Sequence, residues 1–236
     1  MATSDGRDPL PGARRVLAVC AHPDDESFGL GGLLASYTRA RAEVALLTLT
    51  RGEASTLGAD ADLAGCRGAE LACATRRLGV TTSWLRDYPD GHLAEIAIDQ
   101  FVAEVQVAIQ RHQPDLLLVF HPSGITGHPD HQRATEAALL AACGADLPVH
   151  GWYVPHQVAT ALDAEFGAGL MPVTPTPADR RVRVDRVTQR AALACHVSQQ
   201  GDLPVVDRML ELLGDVEHLR PLTRAAVATA GQLPPR

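Results

Sequence analysis

Short, unbroken apolar runs alternate along this chain with longer stretches whose apolar residues recur every three or four positions. The runs at 16–21, 44–49 and 116–120 have the composition of strands buried on both faces. Between the first two, residues 30–41 open on glycines and carry Leu33, Leu34 and Tyr37 at helical spacing. Residues 62–78 carry Leu63, Cys66, Leu71, Ala74 and Leu78 before Gly79, a residue suited to ending a helix. A weaker strand is expected over 81–85. The stretch 93–112 has a helical period (Ile96, Phe101, Val105, Ile109) and stops before Pro114. A helix over 129–143 and a strand over 149–154 complete the series.

Strand and helix thus alternate from residue 15 to 154. That predicts an α/β fold, a Rossmann-like three-layer sandwich with a mostly parallel sheet and helices on both faces. Beyond Pro155 the pattern breaks. With Pro155, Pro172, Pro175 and Pro177, residues 155–180 read as a long irregular connection, followed by helices over 186–200 and 206–213. The expected organisation is a flexible tail over 1–14 and a single domain over 15–236. Its core is 15–154, and the C-terminal extension 155–236 walls the site.

Composition removes several chemistries. The 236 residues and 46% hydrophobic content suit one sizeable core. All 21 basic residues are Arg, so a Schiff-base lysine and a phosphate-loop lysine are both excluded. There is no Asn, hence no Cys-His-Asn triad. A net charge of −7, 4% aromatic content and basic runs no longer than a pair argue against nucleic acid as a partner. Five scattered cysteines without a CxxC read as reduced core residues of a cytoplasmic protein. The polar N-terminus does not resemble a signal peptide, and no apolar run reaches the ~18 residues of a membrane span. The chain is compatible with a homo-oligomer.

Chemistry concentrates where two strands end. The first runs into Ala21-His22-Pro23-Asp24-Asp25-Glu26, and the fourth leads to Gly127-His128-Pro129-Asp130-His131. In a 3-2-1-4-5 strand order these loops face each other across the crevice where α/β sheets bind ligands. His22 and Asp25, three apart, offer an imidazole and a carboxylate, and His131 supplies a third ligand. Three N/O ligands with one open position suit a catalytic zinc, and Fe(II) fits the same set. Asp24 is placed to act as general base. His128 is placed to act as acid and oxyanion stabiliser, with Asp130 fixing its tautomer and raising its pKa. Taken alone, Asp24-Asp25 would read as a solvated helix cap and the histidine pair as surface. Their pairing at two strand ends favours the site.

These two motifs closely resemble those of the PIG-L/LmbE family of zinc-dependent N-deacetylases, over roughly residues 15–200. The resemblance implies zinc ligands at His22, Asp25 and His131, a base at Asp24, and an acid at His128 supported by Asp130. It implies sugar-hydroxyl contacts at Glu53, Arg67 and Asp87. Read from the residues alone, Arg67 with Glu70 is equally a surface ion pair, and Asp87 a turn residue before Pro89. His196 is either drawn toward the site or a packed structural histidine. The implied substrate is a small amino-sugar conjugate bearing an N-acetylglucosamine-type unit. An amidase cleaving a larger acyl group, such as that of a mycothiol conjugate, is the alternative. A metal-binding protein without turnover is a third reading, disfavoured by the complete ligand, acid and base set. Two departures lie at the mouth of the site. Thr126 stands where some sugar deacetylases carry a Tyr, and His121-Pro122 where many relatives are acidic. Gly29-Leu30-Gly31-Gly32 lacks dinucleotide-loop spacing, which disfavours a dehydrogenase.

Overall fold

In the computed structural model, which describes residues 7–57 and 62–223, the apolar runs become strands. They are β1 (Arg15–Cys20), β2 (Glu43–Thr50), β3 (Thr82–Tyr88), β4 (Leu116–Phe120) and β5 (Val149–Trp152), paired in parallel. Two further strands, β6 (Arg180–Arg183) and β7 (Val216–Leu222), extend the sheet antiparallel, giving the order β3-β2-β1-β4-β5-β7-β6. The order reverses at β1 and β4, so the loops leaving those two strands share one crevice.

The helices are α1 (Asp25–Phe28), α2 (Gly31–Arg39), α3 (Leu63–Leu78), α4 (Ile98–His112), α5 (Gly124–Gly127) and α6 (Pro129–Ala145). The extension adds α7 (His156–Phe166), α8 (Arg186–Leu193) and α9 (Leu203–Leu213). Because β1, β2 and β4 are buried on both faces, the sheet separates two apolar layers. One holds Leu33, Leu34 and Tyr37 of α2, Leu71 and Leu78 of α3, Leu162 of α7, Leu193 of α8 and Leu210 of α9. The other holds Phe101 and Val105 of α4 with the alanine face of α6. Among the described residues no helix is long and apolar enough to cross a membrane.

The structure corrects the sequence expectations in five places. Residues 155–180 are not wholly irregular: the prolines gather late, leaving 156–166 free to form α7, which buries Ala159 and Leu162 and ends at Gly167 (φ 63°). β6 and β7 were not expected, since their charged residues mask the strand pattern. The helix over 93–112 begins as a 3-10 turn at Leu93–Glu95, where the Asp130 carboxylate takes the Gly91 and Leu93 amides (2.8 and 3.0 Å). The helix over 186–200 stops at Leu193, and His196 turns inward before a second 3-10 turn at Val197–Asp202. Of the tail over 1–14, residues 7–14 are held down: Asp8 bridges to Val182 of β6, and Tyr37 donates to the Pro11 carbonyl (2.9 Å).

The cysteines also depart from expectation. Cys73 of α3 and Cys195 after α8 form a disulfide across 122 residues, a pairing that only the packing of α3 on α8 brings about. Cys20 is a buried core residue as expected, whereas Cys143 is exposed.

Candidate active site

The loop from β1 into α1 and the segment from β4 through α5 into α6 bring His22, Asp25 and His131 together. Their donor atoms all lie within 4.8 Å of one another. Asp25 Oδ2 accepts the Ala21 and His22 backbone amides (3.0 and 2.9 Å), which leaves Oδ1 facing His131 Nε2 at 3.1 Å. His131 Nδ1 donates to the Gly124 carbonyl (3.0 Å), so its Nε2 carries the lone pair. His22 Nε2 lies 3.0 Å from Asp90 Oδ1 and is tied there, turning Nδ1 toward His131 Nε2 at 3.1 Å. Two imidazole lone pairs and a carboxylate oxygen therefore converge on one buried point. Hydrogen-bonded outer nitrogens on both rings are what a divalent metal ion requires of its ligands, so the residues fit zinc or Fe(II).

Asp24 stands beside this cluster in a strained backbone conformation, φ 121° and ψ −29°. Two contacts hold it. Its N–H donates to Glu26 Oε2 (2.9 Å), and Arg67 Nη2 donates to its Oδ2 (2.7 Å). Arg67 is buried and donates also to the Gly52 carbonyl (2.6 Å) and to Pro23. Gly52 has φ 68°, and a Cβ there would lie 2.1 Å from the guanidinium, so only glycine lets Arg67 reach Asp24. Burial pushes the Asp24 carboxyl up to about 7, against the pull of Arg67 and with a push from Asp25. Glu26 is itself fully buried, with Oε1 2.7 Å from His196 Nε2 and 2.5 Å from Ser27 Oγ. His196 thus belongs neither to the pocket lining nor to bare packing: it braces Glu26, which braces Asp24.

His128 caps α6, its Nδ1 accepting the Asp130 backbone N–H (3.2 Å). The neutral ring then carries its proton on Nε2, as an oxyanion donor would. The expected role of Asp130 is corrected here. Its carboxylate takes the Gly91 and Leu93 amides and lies 3.4 Å from His22 Nε2, so it is the Asp130 backbone that sets the His128 tautomer. Burial, then His131 and His22, lower the His128 pKa rather than raise it.

Of the expected sugar contacts, Arg67 lines the pocket but is committed to Asp24, and it does not pair with Glu70. Glu70 instead accepts from the backbone and hydroxyl of Ser198 (2.7 Å each). Glu53 accepts the Asp90 amide (3.0 Å), steadying the loop after β3. Asp87 is exposed on β3 and lies outside the pocket. The carboxylate from this region that reaches the site is Asp90, which the sequence reading missed. No spacing in the sequence ties it to His22.

His22, Asp24, Asp25, Arg67, Asp90, His128 and His131 line one pocket of about 680 Å³. The profile of the PIG-L family, described as GlcNAc-PI de-N-acetylase, matches residues 17–143, more than half the chain and both motifs. The chain belongs to the PIG-L family. Among relatives in that family, a 1D-myo-inositol 2-acetamido-2-deoxy-alpha-D-glucopyranoside deacetylase of Kineococcus radiotolerans is 36% identical over 62% of this chain. That match spans only 50% of the Kineococcus protein. The deacetylase of the same description from Nakamurella multipartita is 31% identical over 90% of each chain. The solved structure of the A40926 pseudoaglycone deacetylase Dbv21 superposes with a TM-score of 0.70 at 21% identity, over 89% of this chain and 98% of the other, and shares the fold.

Proposed function

We propose that this PIG-L protein is a metal-dependent amide hydrolase that removes the acetyl group from an N-acetylglucosamine-type unit of a small conjugate. The observation that carries the reading is the convergence of three ligand groups, a clamped carboxylate at Asp24 and the His128 Nε2–H donor in one pocket. The descriptions of the Kineococcus and Nakamurella relatives support the substrate class.

His22, Asp25 and His131 would hold the metal, with zinc as the expected ion and Fe(II) fitting the same donors. When bound, the metal would polarise the amide carbonyl and lower the pKa of coordinated water to about 7. Asp24 takes a proton from the attacking water as the C–O bond forms. Arg67 and Glu26 keep its carboxylate aimed. His128 donates its Nε2–H to the developing oxyanion. The proton held by Asp24 passes to the amide nitrogen as the C–N bond breaks, leaving acetate and a free amine. Asp90 and Asp130 orient His22 from behind.

A panel of N-acetylglucosaminides, including an inositol-linked one, tests the reading through release of primary amine from metal-loaded protein. Stoichiometric amine and acetate are expected. Protein with metal bound and no amine from any member would overturn the assignment.

A further inference from the structure

Asp24 is held by two arms from distant parts of the chain, and one covalent bond joins them. The first arm is α3, whose Arg67 donates to Asp24 Oδ2 (2.7 Å). The second is the turn after α8, where His196 Nε2 lies 2.7 Å from Glu26 Oε1. Glu26 Oε2 in turn takes the Asp24 N–H (2.9 Å). Cys73 follows Arg67 and Glu70 on α3, and Cys195 immediately precedes His196. The disulfide between them fastens one arm to the other.

Little else fixes the chain at 194–197. Its backbone bonds there are local, from the Cys195 amide to the Ala192 carbonyl (2.9 Å) and from the His196 amide to Leu193 (3.1 Å). Val197 is 60% exposed, so its burial contributes little. A short stretch of this kind opens locally at low cost unless something ties it. Helix α8 itself stays docked through Gln189, which donates to the Ser27 carbonyl (2.9 Å). Opening the disulfide therefore frees the turn and not the helix. Both cysteines are partly exposed, whereas Arg67, Glu26 and His196 are buried. A small thiol can reach the bond without reaching the groups that the bond positions.

We propose that Cys73 and Cys195 are a site of reversible exchange with a low-molecular-weight thiol, and that the closed bond holds the supports of Asp24 in place for turnover. A thiolate attacks one sulfur, forming a mixed disulfide and releasing the other cysteine as its thiolate. A second thiol then displaces the first. Two small thiols are oxidised to one disulfide while the protein bond is reduced to two thiols, and a small disulfide drives the reverse. With the bond open, the turn loses its covalent tie to α3, His196 disengages from Glu26, and the Asp24 amide loses a fixed acceptor. The metal donors draw no support from either arm. His22 is tied to Asp90, Asp25 to the Ala21 and His22 amides, and His131 to Gly124. The effect on turnover rests on the hydrolase reading, but the coupling of the thiol pair to the Asp24 loop does not.

The test poises metal-loaded protein with dithiothreitol and its oxidised form at graded ratios, followed by anaerobic desalting and resupply of metal. Alkylation and mass spectrometry give the fraction of Cys73–Cys195 bonded. Hydrogen exchange reads peptides covering 22–28 and 194–200, and amine release gives kcat and KM. Opening the bond is expected to cost both peptides protection and to lower kcat about 10- to 100-fold, with KM and metal stoichiometry unchanged. The double variant Cys73→Ser/Cys195→Ser should match the reduced protein at every ratio. A bond serving stability alone would lower the unfolding midpoint and leave kcat and exchange at 22–28 unchanged, which would overturn the proposal. A bond that stays closed at every ratio, or redox sensitivity persisting in the double variant, would overturn it as well. Exchange that follows the bond in protein releasing no amine at any ratio would reject the hydrolase reading while retaining the coupling.

Discussion

Two sets of pocket-lining side chains are held by different forces: a polar wall of Asp24, Arg67, His22 and Asp90, and an apolar wall of Ile125, Trp152, Leu170, Val205, Val206 and Met209. On the polar wall each functional group is fixed by charged or backbone hydrogen bonds: Arg67 to Asp24, Asp90 to His22, Glu26 to the strained Asp24 amide. On the apolar wall the side chains are fixed by packing on the core, with one buried ion pair, Arg186–Glu217, fastening Trp152 from behind. A change on the polar wall should therefore alter metal affinity and turnover with little loss of stability. A change behind the apolar wall should do the opposite.

Arg186→Ala is the most damaging test of that division. It leaves Glu217, which has no solvent exposure, as an unpaired buried charge. Urea unfolding should show a loss of about 3–5 kcal/mol, while the metal affinity of the folded fraction stays near wild type. A large loss of metal affinity would erase the distinction between the walls. Asp90→Asn probes the other side. It weakens the hydrogen bond that orients His22, and metal affinity should fall about 10–100-fold with a small change in unfolding midpoint.

The smallest effect is expected at Asp179, which joins Arg220, Tyr153 and Thr176 within the extension. Burial pushes its carboxyl up, but bonds from Arg220, Thr176 and Tyr153 outweigh burial and bring it down to about 2. The folded value lies below the ordinary 3.8, so its contribution is complete above about pH 4 and drains away as pH falls toward 2. Asp179→Asn should cost about 1–2 kcal/mol near neutral pH and flatten the acid limb between pH 4 and 2. An unchanged acid limb would show that the extension owes nothing to this pair.

The polar centre was legible because its decisive residues are local in sequence and sit at the ends of apolar runs. β1 and β4 announce themselves, and each leads directly into a compact set of ligand types. The supports were not legible. Asp90 meets His22 only through the pairing of β3 with β2, and nothing near it in sequence signals a ligand partner. Glu26 and His196 are 170 residues apart and join only because α8 packs on α1. The extension hid for other reasons. β7 carries Glu217 and Arg220, whose charges are satisfied by distant partners, so its strand pattern is broken by residues that in the fold are paired. The prolines at 172–177 made a whole segment read as irregular, although α7 ends before them. An apolar wall assembled from Ile125, Leu170 and α9 has no motif at all, because packing surfaces leave no spacing to read.

The central claim is that His131 holds the metal and Asp24 moves the proton. Metal content and amine release, measured side by side on wild type, His131→Ala and Asp24→Asn, test it directly. His131→Ala should lose both. Asp24→Asn should bind metal at wild-type stoichiometry, with its turnover reduced about 10³-fold. Wild-type turnover in Asp24→Asn, or undiminished metal in His131→Ala, would contradict the account.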